Sequence, residues 1–305
     1  LPPSFFTSQI KTLTASNKVY DGLTTATLTG NIGTLNGLIA GETLGTTTAT
    51  GTFADKDAAN GKNVTVAYTL ANGQDTFVPG ATILVNGILT FGASTPVPGA
   101  KASNYSLPNE TKQANITPKE LTISGFKAQN KVYNGNTTAT INDGTQINGL
   151  ITADAGKVSL TNLAATFDTR NVGTGKTVTL NQASLTGAEA NNYVLSTEAV
   201  TTKADITAKA LTIAATAENK FYDGNTDAVV TLTTADMVQG DKLTLGKTSA
   251  SFADKNVGNG KTVTISGLTL TGDDAGNYFI LHTNNGATTT ANITRLNSVT
   301  WIGGA

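Results

Sequence analysis

Apolar and polar positions alternate with a period of two through most of the chain. KELTISG and KALTIAA set Leu121, Ile123, Leu211 and Ile213 to one side and Thr to the other, and GKTVTLN and GKTVTIS repeat the arrangement. That is the period of a half-buried β-strand. NYVLS and NYFIL are short continuous apolar runs, as in strands covered on both faces. Asp-Gly, Asn-Gly and Gly-Asn-Gly turns fall between these segments, at the spacing of about ten residues that marks antiparallel sandwiches. The pattern predicts an all-β chain with almost no helix.

The alternation is organised in three repeats. NKVYDGLT, NKVYNGNT and NKFYDGNT begin at 17, 130 and 219 and carry Lys18, Tyr20 and Asp21; Lys131, Tyr133 and Asn134; and Lys220, Tyr222 and Asp223. A second anchor runs TFADKDAANGKNVTV, TFDTRNVGTGKTVTL and SFADKNVGNGKTVTI, and a third is Asn-Tyr at Tyr105, Tyr193 and Tyr278, followed by ANIT, ADIT and ANIT. Ile116, Ile206 and Ile293 stand 90 and 87 residues apart, which sets the repeat length. From Lys62 to Tyr105 is 43 residues, against 17 in the other two repeats, so 26 residues are inserted in the first. The insertion has its own alternation and an Asn-Gly turn, the mark of an extra hairpin over about residues 67–100. The expected organisation is residues 9–117, 118–207 and 208–295 as three domains, with 296–305 opening a following segment. The repeats pass into one another within two or three residues, as in a stiff rod.

Composition narrows the function classes. Thr occurs 57 times, and this β-branched residue suits a pleated, half-wet surface. Net charge is −1 with 13% charged residues, which leaves no electrostatic footprint for nucleic acid or an anionic membrane. No apolar run reaches a bilayer-spanning length. Without Cys there are no disulfides, thiolate nucleophiles or Cys-based zinc sites. LPPSFFTSQI lacks the basic start and apolar middle of a signal peptide, and LNSVTWIGGA stops after the single Trp with no closing strand. Both ends read as cut points within a longer chain.

Each chemical candidate meets a structural reading. Asn134 stands where Asp21 and Asp223 stand; Asn shares the turn role of Asp but not its acid–base chemistry, so the Lys-aromatic-Tyr words read as a fold signature. Asp274-Ala-Gly-Asn-Tyr278, with Tyr105 and Tyr193 at equivalent places, is similar to the tyrosine corner of immunoglobulin-like domains, where a buried hydroxyl bonds backbone. Tandem immunoglobulin-like sandwiches are therefore expected, with β-grasp-like modules as the alternative. Asp55 with Asp57, and Asp273 with Asp274, are weak calcium candidates, since two carboxylates without a loop spacing fall short of a calcium ligand set. The single His282 has no counterpart in the other repeats, and no acid–base pair stands out for catalysis. No cofactor is expected. Tyr68, Phe77 and Phe91 in the insertion read as a small core or a sugar-stacking platform. First-strand Lys11, Lys119 and Lys209 and last-strand Asn115, Asp205 and Asn292 raise the idea of Lys–Asn isopeptide locks.

KVYDG, FADKNVGNGKTVTISGLTLTGDDAGNYFIL and ANITPKELTI resemble the YDG-type and MBG-type repeats of large bacterial filamentous-haemagglutinin-like adhesins, exported by two-partner secretion or related routes. The resemblance covers roughly residues 9–305. VTWIGG is similar to the segment that often follows such repeats. The resemblance implies a secreted or cell-surface location and a non-catalytic stalk that extends a binding region, with neighbouring domains of the same exoprotein as partners. The alternative it leaves is a module engaging host glycan or matrix through the domain-one insertion. A monomer is expected.

Overall fold

The computed structural model describes residues 12–33, 35, 37–39, 42–78, 82–85, 88–91, 95–97, 99–282, 286–298 and 303, the side chains of 76–98 excepted. Among the described residues the chain is all-β, with four short 3-10 turns and no α-helix.

Each repeat builds one main sheet in one order. In the first, Lys18–Val19, Glu110–Thr117, Ala59–Thr69, Thr48–Phe53 and Thr25–Ala26 lie side by side. In the second the order is Lys131–Val132, Thr201–Thr207, Gly173–Thr186, Ser159–Phe167 and Thr138–Ala139. The third keeps four of these strands, Lys220–Phe221, Ala287–Thr294, Gly258–Ser266 and Ser249–Phe252, and a lone bridge from Asp227 to Ser251 stands in the fifth place. The short Lys-bearing strand pairs parallel to the last strand; the rest are antiparallel. The strictly alternating Thr faces outward and Val64, Val66, Val178, Val263 and Ile265 are buried, as the period of two requires.

A register shift interrupts the same ladder in every repeat, between Ala114 and Ile116, Gly173 and Lys176, and Gly258 and Lys261. Gly61, Gly175 and Gly260 sit there at φ of about +60°, a conformation that favours glycine. Each glycine N–H donates at 2.7 Å to the side chain of Asn115, Asp205 or Asn292. Those three residues, expected as partners of an isopeptide bond, thus hold the bulge; their own N–H groups donate to Asn17, Asn130 and Asn219 of the repeated words at 2.7 Å.

Smaller sheets accompany the main ones. Gln146–Asn148, Lys119–Ser124 and Tyr193–Leu195 form a three-stranded sheet, and Lys209–Leu211 pairs parallel with Tyr278–Ile280. In the insertion, Thr76–Val78 pairs with Thr95–Val97 and Thr82–Val85 with Ile88–Phe91 in one continuing register, closed by Val85 opposite Ile88.

Two compact units result. One comprises the described parts of Leu1–Thr122 with Ile147–Thr161 and Ser184–Thr197; its core joins Tyr20, Phe53, Val64 and Ile116 to Leu121, Val158 and Tyr193. The other comprises Ile123–Gln146, Asn162–Ala183 and the described parts of Glu198–Ala305, with Tyr133, Phe167, Val178 and Ile206 packed with Leu211, Ile213, Phe252 and Tyr278. These units divide the chain differently from the sequence repeats. Each core draws on two consecutive repeats, because the chain leaves a main sheet at Thr117 or Thr207 and enters a different sheet at Lys119 or Lys209.

Candidate functional site

The repeated words build an ammonium cage. Lys18 donates from Nζ to Asp21 Oδ1 at 2.7 Å and to the carbonyls of Leu23 and Thr25 at 2.6 and 3.0 Å. Lys131 does the same toward Asn134, Asn136 and Thr138, and Lys220 toward Asp223, Asn225 and Asp227. Each ammonium also lies over a buried Phe ring, Phe53, Phe167 or Phe252, at 5.3 to 5.4 Å. The three ammonium donors, shared among side-chain oxygens and backbone carbonyls, stitch the turn after the short strand. Burial opposes ionisation of Asp21, yet the Lys18 ammonium and the Leu23 N–H hold its carboxyl below the ordinary range. Lys131, with a neutral Asn in place of Asp, has its pKa pushed down by burial.

The tyrosines of the first two words, Tyr20 and Tyr133, point the other way, into the cores. Tyr20 and Tyr193 lie edge to face at 5.3 Å, and both hydroxyls donate to Asp154 Oδ2, at 2.9 and 2.7 Å. Tyr133 and Tyr278 repeat the arrangement at 5.4 Å, donating to Asp241 Oδ2 at 2.9 and 2.5 Å. Asp154 and Asp241 are both buried. A cation from the second anchor closes each group. Lys56 donates to the Tyr20 hydroxyl at 3.2 Å and to Glu189 at 2.5 Å; Arg170 forks to Asp241 at 2.8 Å and Asp274 at 2.6 Å. Asn192 and Asn277, just before the corner tyrosines, accept the N–H of Ala58 and Val172 at 2.7 and 2.9 Å.

The electrostatics follow from this. Burial raises the pKa of both carboxyls, but two phenols apiece and the nearby cation outweigh it, so Asp154 and Asp241 are held below the ordinary carboxylate range. Burial, then the carboxylate itself, pushes Tyr193 and Tyr278 up to about 12; Tyr20 and Tyr133 move in the same direction.

Asp154 and Asp241 escaped the motif reading, although a signal was present. LIAGE, LITAD and MVQGD place an acid three residues after Ile39, Ile151 and Val238, once per repeat. In each turn the acid N–H donates to that aliphatic carbonyl, and the aliphatic N–H donates to a corner tyrosine hydroxyl: Ile39 to Tyr105, Ile151 to Tyr193 and Val238 to Tyr278. In the first repeat Tyr105 donates to Glu42. The corner tyrosines bond backbone, as a tyrosine corner does, and add a carboxylate to it.

The remaining candidates scatter. Asp55 pairs with Lys62, and Asp57 with Lys56 and Asn192. Asp274 is occupied by Arg170 and the Lys242 N–H, and exposed Asp273 lies 3.8 Å from Lys242. Among the described residues no three His, Asp or Glu gather as a metal-binding group. Tyr68 is half-buried against the cluster of Leu13 and Val66, whereas the side chains of Phe77 and Phe91, and all of Lys11, lie outside the described residues. His282 accepts the Ile213 N–H on Nε2 at 2.8 Å. Tyr222 keeps the backbone bond of its siblings, to Thr294 at 2.9 Å, but is 37% exposed where Tyr20 and Tyr133 are 1%.

These features define an all-β tandem-repeat protein whose repeated words build turns and buried locks. The YDG domain model matches residues 7–76, 117–202 and 207–301, most of the chain, and the chain belongs to that family. A search of curated proteins finds no match.

Proposed function

We propose that the chain is a non-catalytic spacer, a stalk segment of a secreted bacterial surface adhesin that holds a binding region away from the cell. The observation that carries this reading is the tyrosine–carboxylate–tyrosine lock. Asp154 and Asp241 each gather one phenol from each of two consecutive sequence repeats. Their polar chemistry is spent on cohesion: a carboxylate already serving two phenols, and held acidic, is a poor general base. Fully satisfied buried networks rigidify what they join, which is what a spacer under tension requires. The finer fold reading, tandem immunoglobulin-like sandwiches strung into a rod, belongs with this role.

Solution X-ray scattering tests it. A rod of three such modules has a radius of gyration of roughly 30 Å, and a single compact body of this length roughly 19 Å. A value near the lower figure removes the stalk reading.

A second reading rests on the hairpin running from Thr76 to Val97, which has no counterpart in the other repeats. As a binding element it would take host glycan or matrix. Deleting residues 76–97 and measuring glycan and cell binding decides this, and unchanged binding sinks it.

A further inference from the structure

The three repeats present one constellation on their main sheets: the Tyr of the repeated word and a cation followed two positions later by a backbone N–H. In the first it is Tyr20, Lys56 and the Ala58 N–H; in the second Tyr133, Arg170 and the Val172 N–H. Both are covered, the first by Asp154, Asn192 and Tyr193 and the second by Asp241, Asn277 and Tyr278. The cover comes each time from the repeat that follows in sequence. The third constellation is Tyr222, Lys255 and the Val257 N–H, with the same spacing. Here Tyr222 is 37% exposed and Val257 45%, and they line a shallow depression with Asn256, Arg295 and Leu296.

We propose that the Tyr222 face is the seat for the acid–tyrosine corner of a further YDG-type repeat following in the same chain. The occupant is specified by chemistry. It carries an aliphatic-x-x-acid turn whose carboxylate accepts the Tyr222 hydroxyl, and an Asn-Tyr pair whose Asn accepts the Val257 N–H and whose Tyr packs edge to face on Tyr222. Three observations support a repeat in cis over an unrelated partner. The two covered seats are filled by this corner, Lys255 supplies the cation that the acid of such a corner needs, and exposed apolar Leu296 and Val257 border the seat as the covered Ala58 and Val172 border theirs.

The test is tyrosine nitration, read by peptide mass, on the 305-residue chain and on the same chain extended after Thr294 by a second copy of residues 208–295. In the unextended chain Tyr222 is expected to react ahead of Tyr20 and Tyr133. In the extended chain its nitration should fall by about tenfold or more, because only local opening would then expose it. Asp241→Ala in the added copy alone should restore the reactivity. If Tyr222 stays reactive in the extended chain, whether or not the added copy folds, the proposal is overturned. Protection that grows with concentration in the unextended chain overturns the cis occupant in favour of a second copy. A compact radius of gyration would remove the stalk reading and leave this seat standing, so the two failures are distinguishable.

Discussion

The hydroxyl of Tyr133 donates to the buried carboxylate of Asp241, 108 positions further along the chain, at 2.9 Å. A phenol that neighbours the turn of one repeat is thereby spent on an acid of the next. Tyr133→Phe keeps the ring and its edge contact with Tyr278 but leaves the carboxylate one donor short. The expected loss is about 1.5–3 kcal/mol, the range for a hydrogen bond to a charged group. Chemical denaturation should show the loss, and hydrogen exchange should place it in the unit that contains Asp241. Tyr20→Phe should act likewise through Asp154.

Alkaline unfolding should fall between pH 10 and 12. In the unfolded chain Tyr193 and Tyr278 ionise near 10.0, whereas in the folded chain they stay protonated to about 12. Stability from the neutral phenols is whole below pH 10 and is lost as pH rises toward the folded values. Tyrosinate absorbance titrated alongside circular dichroism checks this, and phenols that ionise at 10 without unfolding would contradict it. At the acid end the sign reverses. Asp154 and Asp241 are lowered from 3.8, so their contribution is whole above that value and lost as pH falls through the lowered ones.

Arg170→Lys is not a neutral exchange, although Lys56 holds the same place in the first repeat. The guanidinium reaches Asp241 and Asp274 at once, and an ammonium spans one of them. With Arg170 40% exposed, solvent screens the pair, so the expected loss is small and should shrink further in high salt.

Gly272→Ala should be far more damaging than its size implies. Gly272 has φ +116°, and a Cβ there would lie 2.3 Å from the Lys242 carbonyl oxygen, against the turn that positions Asp274. A loss of about 2 kcal/mol or more is expected in thermal unfolding, since strain and a backbone clash add. Gly260→Ala, at φ +60° with open space around it, should cost less.

Intact mass should equal the sequence mass. Asn115, Asp205 and Asn292 are engaged by glycine N–H groups at their bulges, so loss of ammonia or water to a Lys would have to dismantle the bulge.

Much of the fold was legible in the sequence because its causes are local. The alternation around Leu121 and Ile265 sets strands, the unrepeated Asn86-Gly87 marked a hairpin, and the exchange of Asp21 for Asn134 identified the repeated words as a turn device. The Lys cage spans no more than eight residues, within reach of such reasoning. The lock did not yield to it. Asp154 sits in LITAD, where the local pattern says only that a polar residue ends a turn, and its partner Tyr20 lies 134 positions away. Which phenols converge on which acid depends on two sheets from consecutive repeats closing over one core, and water is excluded from the carboxylate only once they close. The sequence by itself determined strands, turns and the number of repeats, because those follow from side-chain period and backbone preference. Tertiary structure alone decided that the cores are shared between repeats, because burial is a property of two faces together and neither face records its partner.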